Sequence, residues 1–306
     1  MKEAILITGA TGFLGCHIAT LLCEKNYQVI ATRRTNSGLK NCIEFQQQID
    51  WVNTDDQNWK EIIIGLKPTI IIHAAWMGVM ASERDDWELQ AKNLILLQDL
   101  LYVAKQSNTQ KIIGLGSQAE YGFIDSVVEE THPLKPSTAY GAVKILSAQL
   151  LKHFALQNNI QWHWLRVFSV FGEKEGEQWL MPTVIKTIAQ GQLKKMAFSA
   201  GNQKYAYLYI KDFANAVYKI LTNQNNVSGI YNISAGNPLP LKKVITLIRD
   251  ILNPAFELGF GELYTRPNQS MLIAGDMSKF NRTFGILETT NFEESIHNTI
   301  NFYNKN

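Results

Sequence analysis

Thr8-Gly9-Ala10-Thr11-Gly12-Phe13-Leu14-Gly15 decides the fold. It stands between an apolar run, Ala4-Ile5-Leu6-Ile7, and a helix-like segment from Phe13 to Lys25. Glycine lets the chain turn tightly and brings its backbone close to a ligand. The helix that follows offers unpaired N–H groups to an anion. A Gly-rich turn at the head of a strand–turn–helix unit therefore predicts a dinucleotide site, with Gly9, Thr11, Gly12, Phe13, Leu14 and Gly15 around the pyrophosphate.

Outward from this turn the same rhythm continues. Gln28-Val29-Ile30-Ala31, Trp51-Val52-Asn53, Thr69-Ile70-Ile71-Ile72-His73, Lys111-Ile112-Ile113-Gly114-Leu115 and Gln161 to Phe168 read as strands. Most are continuous apolar runs without alternation, as expected where a parallel sheet is covered on both faces. Long helices are expected over Glu83 to Gln106 and Ala139 to Asn158. The pattern predicts an α/β fold, a Rossmann-type doubly wound parallel sheet. Beyond about Gly172 the rhythm loosens. Helices are expected near Thr183 to Gln190, Asp212 to Leu221, Leu241 to Ile251 and Phe292 to Tyr303, with strands at Tyr205 to Ile210 and Gly229 to Ile233. We read residues 1–172 as the dinucleotide-binding domain and 173–306 mainly as a smaller substrate lobe, with segments near 205–235 interleaved into the first.

Composition narrows the function classes. Hydrophobic residues are 46% and charged residues 18% of 306, and 29 basic against 27 acidic residues leave a net charge of +2. That balance, without a basic run, argues against a nucleic-acid partner. No apolar stretch approaches the ~18 residues of a membrane span, and the short apolar start does not make a signal peptide. Cys16, Cys23 and Cys42 show no metal-binding spacing. They are expected to be reduced thiols in a cytoplasmic protein with no metal.

Tyr140-Gly141-Ala142-Val143-Lys144 carries the chemistry. At i and i+4 the phenol and the ammonium share a helix face. A neighbouring cation favours the phenolate, so the tyrosine can exchange a proton with a substrate oxygen. At the end of the second strand, Ala31-Thr32-Arg33-Arg34 lacks the acid that would hold a ribose 2′-hydroxyl. Two guanidinium groups suit a 2′-phosphate, so Arg33 and Arg34 favour NADP, with NAD as the alternative.

The GxxGxxG spacing of Gly9, Gly12 and Gly15, the YxxxK pair and Gly116-Ser117-Gln118-Ala119-Glu120-Tyr121-Gly122 together resemble the extended short-chain dehydrogenase/reductases, the NAD-dependent epimerase/dehydratase family that modifies nucleotide sugars. The resemblance covers nearly the whole chain. It implies that Ser117 orients the substrate carbinol or carbonyl, that Asp55 faces adenine, and that Ala74 and Ala75 let the cofactor lie flat. It implies a structural role for Asn93, and it marks Pro182, in Met181-Pro182-Thr183, and Arg266 as nucleotide contacts. The two long helices imply a homodimer.

Dehydratases of the family place an acid and a base directly after the serine. Gln118 and Ala119 stand there, and alanine moves no proton, so elimination of water is disfavoured. The reading is therefore a 4-keto-sugar reductase that uses NADPH with Tyr140, Lys144 and Ser117. An epimerase with retained NAD is the alternative, and a catalytically silent nucleotide sensor is a remote third.

Overall fold

The chain is seen as a computed structural model that describes residues 3–225, 227–264 and 269–305, and the structural statements below concern these residues. The first half runs β1 (Ala4–Thr8), α1 (Phe13–Glu24), β2 (Gln28–Arg33), β3 (Ile49–Asn53), α2 (Trp59–Leu66), β4 (Ile70–His73), α3 (Trp87–Gln106), β5 (Lys111–Ser117), β6 (Asp125–Val128), α4 (Ala139–Gln157), β7 (Gln161–Val167) and β8 (Val170–Phe171). The second half runs α5 (Leu180–Gln190), β9 (Lys195–Phe198), β10 (Lys204–Tyr205), β11 (Leu208–Tyr209), α6 (Ile210–Thr222), β12 (Gly229–Ile233), β13 (Leu239–Pro240), α7 (Leu241–Leu252), β14 (Glu257–Phe260), β15 (Leu272–Gly275), α8 (Ser278–Phe284) and α9 (Phe292–Lys305).

Seven parallel strands form the main sheet in the order β12-β7-β5-β4-β1-β2-β3. Successive side chains of a strand point to opposite faces, and β1 shows why its apolar run is unbroken. Ile5 and Ile7 enter one core with Ile18 and Leu22 of α1 and Val217 of α6, whereas Ala4 and Leu6 enter another with Ile63, Leu97, Leu100 and Leu151 of α2, α3 and α4. Both faces are covered, which is the doubly wound α/β arrangement expected from the sequence. A second sheet has the order β13-β10-β15-β6, so β6, from the first half of the chain, pairs with β15 near its end.

Two expected elements differ. The helix expected from Glu83 begins at Trp87, because Asp86 caps it with Oδ1 accepting from the Leu89 N–H at 2.9 Å. Glu83 to Asp86 instead form turns onto Met80 and Glu83 carbonyls. The strand expected over Tyr205 to Ile210 is divided: Lys204–Tyr205 joins the second sheet, Leu208–Tyr209 pairs with β8, and Ile210 already opens α6.

Candidate active site

The Gly-rich turn joins β1 to α1 at the carboxyl edge of the sheet. Gly9 has φ +74°, and a Cβ there would lie 2.6 Å from the Ala75 nitrogen. A Cβ on Gly15 would lie 2.2 Å from the Gly9 carbonyl oxygen. These two glycines are demanded by the chain's own packing. Gly12 is exposed, and a Cβ there meets only the Gly9 oxygen at 3.4 Å, so protein contacts do not require it. Gly12 caps α1 without a side-chain acceptor, and the first turn carries no acid. The opening amides at Phe13 and Leu14 are thus donors in a concave, uncrowded turn, which fits a dinucleotide pyrophosphate. Across from it, the Ala74 N–H donates to the Thr8 carbonyl and the Ala75 N–H to Thr8 Oγ1, each at 3.2 Å, while Thr8 Oγ1 lies 2.8 Å from His73 Nδ1. His73 is buried and its pKa is pushed down to about 3 by that burial and by Lys144, so it serves as a neutral support.

Arg33, half-buried, ends β2, and Arg34 is exposed beside it. Neither guanidinium takes part in an ion pair among the described residues. Asp55, also exposed, accepts from the Thr35 N–H at 2.8 Å. The Thr35 backbone and side-chain hydrogen bonds, and then Arg34, hold its carboxyl below the usual range. The three residues therefore share one rim, at the ends of β2 and β3. Thr11 is half-buried on the turn itself, and its carbonyl accepts from Asn41 Nδ2 at 3.2 Å.

Ser117 ends β5, and Tyr140 and Lys144 lie on the first turns of α4, capped by Thr138, whose Oγ1 accepts from the Gly141 N–H at 3.2 Å. Burial raises the Tyr140 phenol, while a hydrogen bond with Ser117 and the charge of Arg84 pull it back. The structure thus brings the three predicted residues together. Lys144 is buried, and its Nζ donates to the Leu115 carbonyl at 2.6 Å. Burial pushes its ammonium down to about 7, with Glu120 opposing.

Two features were not read from the sequence. Arg84, from the segment between β4 and α3, lays its guanidinium 5.2 Å from the Tyr140 ring centre. The same segment is fastened to the start of α4: the Tyr140 N–H donates to the Arg84 carbonyl at 2.8 Å, and the Ala139 N–H to Asp85 Oδ1 at 3.1 Å. Glu120 is the second. It closes a capping box with Ser117, and Oε1 accepts from the Ser117 N–H and Trp164 Nε1, each at 2.9 Å. Oε2 pairs with Arg166 at 2.8 Å, both side chains buried. Arg166 also donates to Tyr121 at 2.9 Å, and Tyr121 donates to Asn232 at 2.6 Å. Both Glu120 oxygens are therefore engaged. Gln118 and Ala119 occupy the short turn directly after Ser117, so the turn presents no free carboxylate toward a substrate.

Asn93 binds the backbone of Met77, accepting from its N–H at 2.8 Å and donating to its carbonyl at 3.1 Å. Pro182 is buried in the first turn of α5. Arg266 lies outside the described residues. A cleft of about 1270 Å³ opens at the opposite edge of the sheet between Asn108, Asn159 and Asn223, away from Ser117. Its buried Lys111 is already committed to the carbonyls of Ile220, Leu221 and Asn223. Among the described residues, no helix is long and apolar enough to cross a membrane, and no group of His, Cys, Asp or Glu is arranged to hold a metal ion.

Similarity to known proteins agrees with this geometry. A Methanocaldococcus jannaschii protein with the provisional name UDP-glucose 4-epimerase is 28% identical, over 99% of both chains. The dTDP-4-dehydro-6-deoxyglucose reductase of Escherichia coli is 24% identical over 89% of each. The fold matches that of the UDP-glucuronic acid 4-epimerase of Bacillus cereus, solved with UDP-glucuronic acid and NAD, at a TM-score of 0.87 and 21% identity over 99% of both chains. Residues 5–234 match the NAD dependent epimerase/dehydratase family as a whole. From its Gly-rich turn to β12, the chain belongs to that family, a branch of the extended short-chain dehydrogenase/reductases.

Proposed function

We propose that this enzyme is a nucleotide-sugar 4-epimerase that retains NAD. The observation that carries the reading is the meeting of Ser117, Tyr140 and Lys144 beside the Gly-rich turn, in a site where Glu120 is locked away. The names of the Methanocaldococcus and Bacillus relatives support epimerisation over the reduction expected from the sequence. Bound NAD would lie on Gly9, Gly12, Gly15, Ala74 and Ala75 and supply the acceptor, and later the donor, of a hydride. Tyr140 takes the proton from the sugar 4-hydroxyl as the carbinol is oxidised and returns it when the ketone is reduced on its other face. Ser117 holds the reacting oxygen, and the Lys144 ammonium favours the phenolate. On this reading the nucleotide would lie by Pro182, at the head of α5. The three cysteines are free and buried, in keeping with a reducing cytoplasm.

The test is interconversion of UDP-glucose and UDP-galactose, and of their N-acetyl and uronic forms, with no net coenzyme consumed. Tyr140→Phe should lower kcat by about 10²–10⁴-fold, as loss of a general acid–base does. Failure of every pair would overturn the reading.

A second reading, reduction of a 4-keto nucleotide sugar by NADPH, is favoured by Arg33 and Arg34 at the end of β2 and by the Escherichia coli relative. It predicts stoichiometric loss of NADPH absorbance with a keto-sugar. Either enzyme would form a homodimer through α3 and α4. These helices pack side by side and leave Ile95 61%, Tyr102 48%, Leu146 53% and Leu150 41% exposed, an apolar face that a second copy would cover.

A further inference from the structure

The weak point of the site is the charge on Lys144. An ammonium in a dry interior is stable only when paired or well hydrogen-bonded. Here one hydrogen bond, to the Leu115 carbonyl, is in place. The nearest acid, Glu120, has both oxygens taken by Ser117, Trp164 and Arg166, and among the described residues Lys144 has no ion-pair partner. What faces the ammonium instead is Trp76, whose ring centre lies 3.5 Å from Nζ. Cation–π attraction acts within ~6 Å and is strongest with tryptophan. The next rings, Tyr140 and Trp164, are at 5.7 and 5.9 Å.

The indole is not loosely laid there. Its Nε1 donates to Gln90 Oε1 at 3.0 Å. Gln90 is fully buried, and its own Nε2 donates to the Gly78 carbonyl at 2.7 Å and the Glu83 carbonyl at 3.2 Å. The ring also stands edge-on to Tyr140, with centroids 6.0 Å apart and planes at 83°. Simple core packing would need neither the pinned Nε1 nor a half-exposed position within the site.

We propose that Trp76 is the positioning residue of the Tyr140/Lys144 pair, its indole face holding the Lys144 ammonium charged and fixed beside the phenol. The proposal rests on the reading of that pair as the proton-transfer device. It assigns Gln90 the task of fixing the indole plane. When Trp76 is replaced, Lys144 loses its proton more readily and the phenolate loses its support.

The test is to follow the Lys144 side chain by NMR of ¹³C-lysine-labelled protein, assigned by comparison with Lys144→Met, together with the pH profile of kcat. In Trp76→Leu the titration midpoint of Lys144 should fall by about one pH unit, and Trp76→Phe should restore roughly half of the shift. The alkaline limb of kcat should move down in step. Should Trp76→Leu fail to fold by circular dichroism, Gln90→Leu, which releases the indole without removing it, should lower the midpoint less but in the same direction. An unchanged midpoint in folded Trp76→Leu, or in Gln90→Leu where that variant alone folds, would overturn the proposal. A lowered midpoint with an unmoved kcat limb would leave Trp76 as the partner of the ammonium and refute the proton-transfer reading instead.

Discussion

At the scale of single residues, the three glycines of the turn separate two demands that a motif merges. Gly15 is required by a neighbouring backbone oxygen, whereas Gly12 has room for a methyl group and φ −86°. Gly15→Ala is expected to destabilise the fold by about 3 kcal/mol, as overpacking of a rigid neighbour does. Gly12→Ala should cost under about 1 kcal/mol of stability yet weaken dinucleotide binding, because its methyl would stand where the pyrophosphate approaches. Chemical denaturation and calorimetric titration with NAD and NADP read the two effects separately. Equal loss of stability in both variants would contradict this division. Sequence spacing was enough to find Tyr140 and Lys144, since i and i+4 on a helix fix their proximity. It revealed nothing of Arg84, whose approach to Tyr140 depends on a tertiary crossing, nor of the place of the Trp76 ring over Lys144. Nor did it reveal that Glu120 is held by Trp164 and Arg166, residues 44 and 46 positions away in the chain.

At the scale of elements, legibility followed burial and length. The central strands β1, β4 and β5 are buried on both faces, so their runs announce themselves, and β12 was found at its observed bounds. Strands of two residues such as β8, β10, β11 and β13 carry no period to detect. The start of α3 was misjudged because Glu83 to Asp86 are good helix formers or caps, and only the hydrogen bond at Asp86 shows where the cap falls. The paired helices carry a prediction of their own. Leu146 and Leu150 lie four residues apart on the exposed face of α4, so Leu150→Glu places a charge in the proposed dimer contact. Sedimentation velocity should show the wild-type chain as a dimer and the variant as a monomer of unchanged helix content. A monomeric wild-type chain would remove α3 and α4 as an interface.

At the scale of the whole molecule, burial of neutral histidines sets a limit on acid stability. His73 and His163 both have pKa values pushed down to about 3 from 6.5, first by burial and then by Lys144 and Lys111 respectively. Between those values the unfolded chain binds protons that the folded chain refuses. Each histidine therefore removes stability as pH falls from 6.5 toward 3, at about 1.4 kcal/mol per unit. His163 packs among Tyr231 and Phe284, away from the site, so His163→Phe should stabilise the protein relative to wild type increasingly below pH 6.5. Denaturation midpoints from pH 4 to 8 would check the slope, and parallel curves would refute it. The hydrogen-bonded chain from Ser117 through Glu120, Arg166, Tyr121 and Asn232 ends on the Val128 carbonyl, in the strand that pairs with β15. It ties the turn beside Tyr140 to a sheet completed only by the far end of the polypeptide. During synthesis or refolding, therefore, a nearly complete main sheet would still be inert. Turnover should return only with the slowest phase of refolding, well after helical circular dichroism has recovered.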